Sequence, residues 1–165
     1  LLYIPGKFKF GDQSHYSITR IFVSSWASVI NGRRNWGIPK DQCDFDVVNG
    51  ASRDQVALRD AQGRRFAELD FEAFGPRLPA PAHWTPRSWR RLSQQCEGRR
   101  YTYEPSARGH FRLARVRHWK FDSEFFPDLA RGKVLLAIKL TDFRMSFPIA
   151  KIEDLTAVTN DAGQI

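Results

Sequence analysis

Apolar and polar positions alternate along much of this chain, and the period is that of strands more often than of helices. Pro5-Gly6 marks a turn, after which Phe8 and Phe10 fall on one face of a short strand. Ser17 to Ser24, with Ile18, Thr19, Ile21, Phe22 and Val23, predicts a second strand. Ser25 then stands where a helix N-cap belongs, and Val29, Ile30 and Arg33 are spaced for a helix from Trp26 to about Asn35. Gly37 is placed to end it, and Pro39 blocks its continuation. Cys43, Phe45 and Val47 alternate against Asp44 and Asp46 as a half-buried strand, closed by the Asn49-Gly50 turn. The clearest hairpin joins Gln55–Arg59 to Arg64–Phe74 through Asp60-Ala61-Gln62-Gly63, with Ala67, Leu69, Phe71 and Ala73 on one face of its second arm.

Prolines at 76, 79, 81 and 86 make Gly75 to Pro86 a predicted loop. Trp89 and Leu92, three apart, allow a short helix within Arg87–Arg100. A turn at Ser106–Gly109 separates Tyr101 and Tyr103 from two long predicted strands, His110–Phe121 and Lys133–Phe147. The alternation slips phase near Ala114, which predicts a bulge. The tail after Asp154 has few large side chains and is expected to fray. The expected fold class is α+β, mainly antiparallel β, with one or two short helices, in a single domain over residues 1–165.

Composition changes this picture little. The 165 residues suffice for a core, and 42% apolar with 27% charged residues fits a globular protein. Thirteen Phe and five Trp point to aromatic-rich sheets or a roomy apolar cavity. No apolar run approaches the roughly 18 residues a membrane helix needs, so no membrane partner is expected. Cys43 and Cys96 support neither a disulfide framework nor a zinc motif, and read as reduced thiols of a cytoplasmic protein. His15, His83, His110 and His118 lack metal-ligand spacing, and neither metal nor cofactor is expected. Glu68, Asp70 and Glu72 share one strand face, which reads as solvated unless that face lines a cavity. The chain opens on Leu1 rather than Met, so an earlier segment is expected.

Charge adds one alternative. The net +8 is concentrated in Arg87, Arg90 and Arg91, in Arg99 and Arg100, and in Arg112, Arg115 and Arg117, with Trp84, Trp89, Tyr101 and Tyr103 interleaved. Such a pattern can bind single-stranded nucleic acid through phosphates and base stacking. No nucleic-acid-binding fingerprint accompanies it, so this is the least favoured partner; a solvated basic face, or attraction of an anionic substrate, accounts for it as well.

The segment that carries chemistry is Asn31-Gly32-Arg33-Arg34-Asn35-Trp36-Gly37-Ile38-Pro39-Lys40. It sets a lysine directly after a proline and near Trp36, Ile38, Val29 and Ile30. An amine among apolar groups is poorly solvated when charged, its pKa falls, and it can attack a carbonyl to form a Schiff base. Most lysines are simply solvated, and Arg33 is better explained by an ion pair at the helix end than by a substrate carboxylate.

Gly32-Arg33 followed by Trp36-Gly37-Ile38-Pro39-Lys40 resembles the Gly-Arg…Gly-hydrophobic-Pro-Lys signature of the acetoacetate decarboxylase-like superfamily, with the glycine-to-lysine spacing intact. The order of elements from about Tyr16 onward is similar as well. The resemblance implies a divergent member with a curved sheet or barrel around an apolar cavity. It implies Lys40 as the Schiff-base lysine, with Arg33 and Trp36 as substrate-binding residues and a β-keto acid or related carbonyl compound as substrate. No cofactor is implied, because the protonated imine is itself the electron sink. Decarboxylation is the implied outcome; an aldol or dehydration step through the same imine, or a non-catalytic module for apolar ligands, are the alternatives, and a homo-oligomer is left open. The true decarboxylase has a second lysine where this chain has Asp41, an anion that would favour the charged ammonium if the side chains met. The family's catalytic glutamate falls before Leu1, as does an arginine that holds the substrate carboxylate, so the chain is expected to lack the N-terminal part of that fold.

Overall fold

A computed structural model describes residues 1–81 and 85–155. It is mostly antiparallel β, with two α-helices among the described residues and one sheet curled into a half-barrel. No helix among the described residues is long and apolar enough to cross a membrane. The described residues divide into two compact units, one of 1–41, 85–106 and 145–155, the other of 42–81 and 107–144.

The first unit opens with β1 (Leu2–Tyr3), β2 (Lys7–Phe10), β3 (Gln13–Tyr16) and β4 (Arg20–Val23), followed by α1 (Trp26–Trp36) and β5 (Lys40–Gln42). Ser25 caps α1: its hydroxyl accepts the Ser28 amide at 3.4 Å. Gly37 ends it in the left-handed region (φ 61°), its N–H bonded to the Arg33 carbonyl. Val29 and Gly32 are the buried positions of this helix, while Ile30 faces solvent. Strands β1, β4 and β5 form a three-stranded sheet, with β4 in the middle.

In the second unit, β6 (Asp44–Asn49), β7 (Arg53–Arg59) and β8 (Arg65–Ala80) form a meander. The Asp60–Gly63 turn is built as its residues require. The Asp60 carboxylate accepts the amides of Gln62 and Arg64, and Gly63 takes φ 79°. Leu58, Phe66, Ala67, Phe121 and Phe126 are buried in this unit.

Back in the first unit, α2 (Arg87–Arg90) leads to β9 (Leu92–Cys96) and β10 (Arg99–Tyr103). The sequence pattern missed β9. A two-residue turn joins it to β10, with Glu97 and Gly98 both at positive φ, the combination a type I′ turn needs. The long β11 (Ser106–Phe121) and β12 (Ala137–Ser146) complete the second unit's sheet in the order β12-β11-β8-β7-β6. The last strand, β13 (Lys151–Asp154), closes the first unit's other sheet, β13-β10-β9-β3-β2. Its core gathers Ile18, Ile21, Ile38, Leu92, Tyr101 and Tyr103.

The predicted loop from Gly75 to Pro86 is corrected: β8 runs through Pro76 and Pro79. Past Ala73 the strand has no β7 partner, so its only ladder neighbour is β11 and a missing N–H is tolerated. Gly75 and Pro76 sit in a bulge between the Leu113–Phe74 and Phe111–Leu78 pairs, with Gly75 at φ 72°. A second register shift between Val116 and His118 puts Ala114 between two bulges, near where the alternation slips. His83, Trp84 and the tail from 156 onward lie outside the described residues.

The acidic face of β8 is also corrected. Asp70 is only 7% exposed, and the Arg53 guanidinium donates to both its oxygens, Nε at 2.8 and 3.1 Å. Glu72 pairs with Arg117. The Arg53 bonds hold the Asp70 carboxyl below its ordinary value of 3.8. A depressed folded-state pKa makes the stabilisation complete above that ordinary value and removes it as pH falls through the lower folded one. Arg53→Gln is therefore expected to raise the midpoint of acid unfolding followed by circular dichroism. An unmoved midpoint would show that the pair contributes nothing.

Candidate functional site

The residues around Lys40 are brought together by α1, its glycine terminus and the short β5. Gly37 reverses the chain, and Pro39 keeps it extended into β5. Lys40 and Asp41, successive residues of one strand, project to opposite sides. The Lys40 side chain lies back across α1. A Cβ placed on Gly32 would stand 2.3 Å from Lys40 Cδ, 2.4 Å from Cε and 3.0 Å from Nζ. Only a glycine at 32 leaves this channel open. The amine ends on Ser28, donating to its hydroxyl at 3.1 Å. Ser28 and Gly32 are one helical turn apart and so share a face. Burial lowers the Lys40 pKa from its ordinary 10.5, and no neighbouring charge is needed to explain the direction.

Asp41 does not restore the ammonium. Its two oxygens are taken by Arg20 Nη1 at 3.0 Å and Arg33 Nη2 at 2.8 Å. Arg33 also donates from Nε to the Lys40 carbonyl at 2.9 Å, fixing the backbone of the lysine to the helix end. Its guanidinium is thus committed to β5. Trp36, the last residue of α1, packs on the first unit's core; its indole N–H donates to the Pro148 carbonyl at 2.8 Å, and its ring meets Phe147 edge-on at 5.6 Å.

No protein-family model matches this chain, and a search of curated proteins finds no match. The reading of the site therefore rests on its geometry and on the motif.

A hollow of about 730 Å³ opens in the same unit, with Arg33, Arg34, Gly37, Ile38, Pro39 and Asp41 on one side. Neither Lys40 nor Trp36 lines it. The amine and the hollow therefore belong to different sides of the segment that follows α1. Ser28 is the polar neighbour of the Lys40 amine that sequence reasoning missed. Its signal was present, because a helix capped by Ser25 puts Ser28 and Gly32 on one face.

The basic and aromatic residues separate. Tyr101 and Tyr103 are core residues, 5% and 3% exposed, and offer no stacking surface. Arg87 and Arg91 bind Glu104, Arg99 binds Asp154 and Arg100 binds Glu153. In the second unit Arg115 lies over the Phe74 ring. Among the described residues no group of three or more His, Cys, Asp or Glu is arranged to hold a metal.

Proposed function

We propose that Lys40 is a carbonyl-capturing amine, and that the chain is an acetoacetate decarboxylase-like enzyme acting on a β-keto acid or a related carbonyl compound. The observation that carries this reading is the half-buried lysine laid in the groove over Gly32, with a hydroxyl rather than a carboxylate as its polar partner. Withdrawal of Asp41 into two arginine pairs supports it, because the nearest anion in sequence is kept from the ammonium. The family's curved sheet about an apolar cavity is part of the proposal.

In the reaction so proposed, the neutral Nζ adds to the ketone carbon, and loss of water leaves a protonated imine. The C–C bond to the carboxylate then breaks, carbon dioxide departs, and its electron pair neutralises the iminium to give an enamine. The α-carbon takes up a proton, and water releases the ketone and the free amine.

Incubation with acetoacetate and borohydride, followed by peptide mass mapping, tests the reading. The reduced adduct is expected on Lys40 and is expected to vanish in Lys40→Ala. Because its pKa is depressed, Lys40 is expected to be labelled in preference to the other lysines. Labelling spread evenly over the lysines, or none at Lys40, would sink the proposal.

A further inference from the structure

The convex side of the second unit's sheet exposes apolar side chains. Lys139 of β12 reaches Asp54 of β7, Nζ to Oδ2 at 2.7 Å, past the two strands that separate them. On a flat sheet those strands would stand about 14 Å apart, so the pair lies on the concave side of the curl. Ile138 and Leu140 flank Lys139 in sequence and therefore point outward. Asp54 is registered with Phe71 and Phe71 with Val116, which puts these two on the concave side as well. Leu113 and Arg115, odd positions against Val116, are then on the convex side, opposite Phe74 and Glu72 of β8. The connection into β12 adds Val134, Leu135 and Leu136, with Leu135 91% and Leu136 71% exposed. These three line one hollow with Phe74, Leu113 and Arg115, so the apolar tip adjoins the convex side. The charge there is positive. Glu68, Asp70 and Glu72, the acids on the convex side of β8, are held by Arg65, Arg53 and Arg117. Arg115, Lys120 opposite Glu68, and Lys133 just before the tip have no carboxylate partner among the described residues.

We infer that this convex side is a docking surface for an anionic lipid bilayer. Leu135 and Leu136 enter the boundary between headgroups and acyl chains, and Leu113, Ile138 and Leu140 lie against it. Arg115, Lys120 and Lys133 meet the lipid phosphates and carboxylates. Apolar insertion supplies affinity, and the unpaired cations supply the preference for an anionic surface. Such a contact needs no membrane-spanning helix. The chemistry favours lipid over a protein partner. Protein hot spots are Trp, Tyr and Arg seated in closed pockets and are poor in Leu and Val; here the most exposed groups are aliphatic and stand out into solvent. The surface uses no residue of the first unit, so it does not depend on the chemistry of Lys40.

Cosedimentation with vesicles tests the inference. The protein is expected to partition onto vesicles of equal parts phosphatidylserine and phosphatidylcholine, and at least about tenfold less well onto phosphatidylcholine alone. Leu135→Ser/Leu136→Ser, which changes only exposed side chains, is expected to weaken the anionic vesicles at least about tenfold with an unchanged melting temperature. Lys120→Gln/Lys133→Gln is expected to weaken them by a similar factor, the effect of two cations near an anionic surface. Lys7→Gln/Lys9→Gln removes the same charge from β2 in the first unit and is expected to leave the partition nearly as it was. Sedimentation velocity without lipid is expected to give the same mass for the parent and the leucine variant. Equal binding to both kinds of vesicle, full binding by the leucine variant, or an equal loss in the β2 variant would each overturn the inference. A parent dimer that the leucine variant abolishes, without vesicle binding, would overturn it too and give the surface to a second copy of the chain.

Discussion

Gly32→Ala is expected to leave the protein folded and to remove the special reactivity of Lys40. The added methyl would collide with three consecutive atoms of the lysine side chain, the closest at 2.3 Å. Those atoms belong to the far end of a flexible chain, so the lysine moves and the helix does not. In the helix itself alanine is favoured over glycine by about 1 kcal/mol, so the melting temperature should hold or rise. The amine, expelled from its groove, loses the Ser28 hydroxyl and the burial that depresses its pKa. Two measurements follow. Borohydride trapping at Lys40 should fall to the level of exposed lysines. The titration of Lys40, followed by NMR after reductive ¹³C-methylation, should move up toward the ordinary lysine value. Trapping and titration both unchanged in a folded Gly32→Ala protein would show that the groove does not control the amine.

This prediction gives the motif a physical content that its letters alone lack. Gly32 and Lys40 are eight positions apart because one helical turn, a glycine reversal and a proline-stiffened step return the chain to lie alongside α1. A glycine inside a helix carries a cost, which asks for a packing reason; here the reason is the lysine stem. That much was legible, as were the Ser25 cap, the Gly37 stop and the Asp60–Gly63 hairpin, because each depends on residues close in sequence. Strand β9 was not. It reads Leu-Ser-Gln-Gln-Cys, and its buried members include Ser93 and Gln94, 0% and 3% exposed. Ser93 is satisfied by His15 and Thr102, and Gln94 by Ser17, partners 78, 9 and 77 residues away. Hydrophobic alternation cannot reveal a strand whose buried side chains are polar and paired over such distances. The proline-rich end of β8 was hidden for a related reason: whether a proline breaks a strand depends on whether its N–H would have had a partner, and that is a property of the sheet. The hollow of the first unit was equally illegible, since β2, α1 and β9 each bring part of its lining.

Gly37→Ala is the substitution expected to damage the first unit most. Gly37 holds φ 61°, a region that costs an L-residue roughly 1–2 kcal/mol. The space is also closed: a Cβ there would stand 2.6 Å from Cδ2 and 3.0 Å from Cε2 of Tyr101, whose ring is 5% exposed in the core and has no room to retreat. Overpacking of this kind adds about 1–3 kcal/mol, so a total loss of about 3 kcal/mol is expected. Chemical denaturation should show it as a lower midpoint with an unchanged slope. The double variant Gly37→Ala/Tyr101→Leu discriminates between the two causes. If the ring collision dominates, the second change should recover part of the loss, beyond what Tyr101→Leu costs alone. If the backbone dominates, the two losses should add. A Gly37→Ala protein as stable as the parent would mean that the helix does not end in the left-handed turn that delivers Pro39 and Lys40 to β5, and the placement of the amine over Gly32 would fall with it.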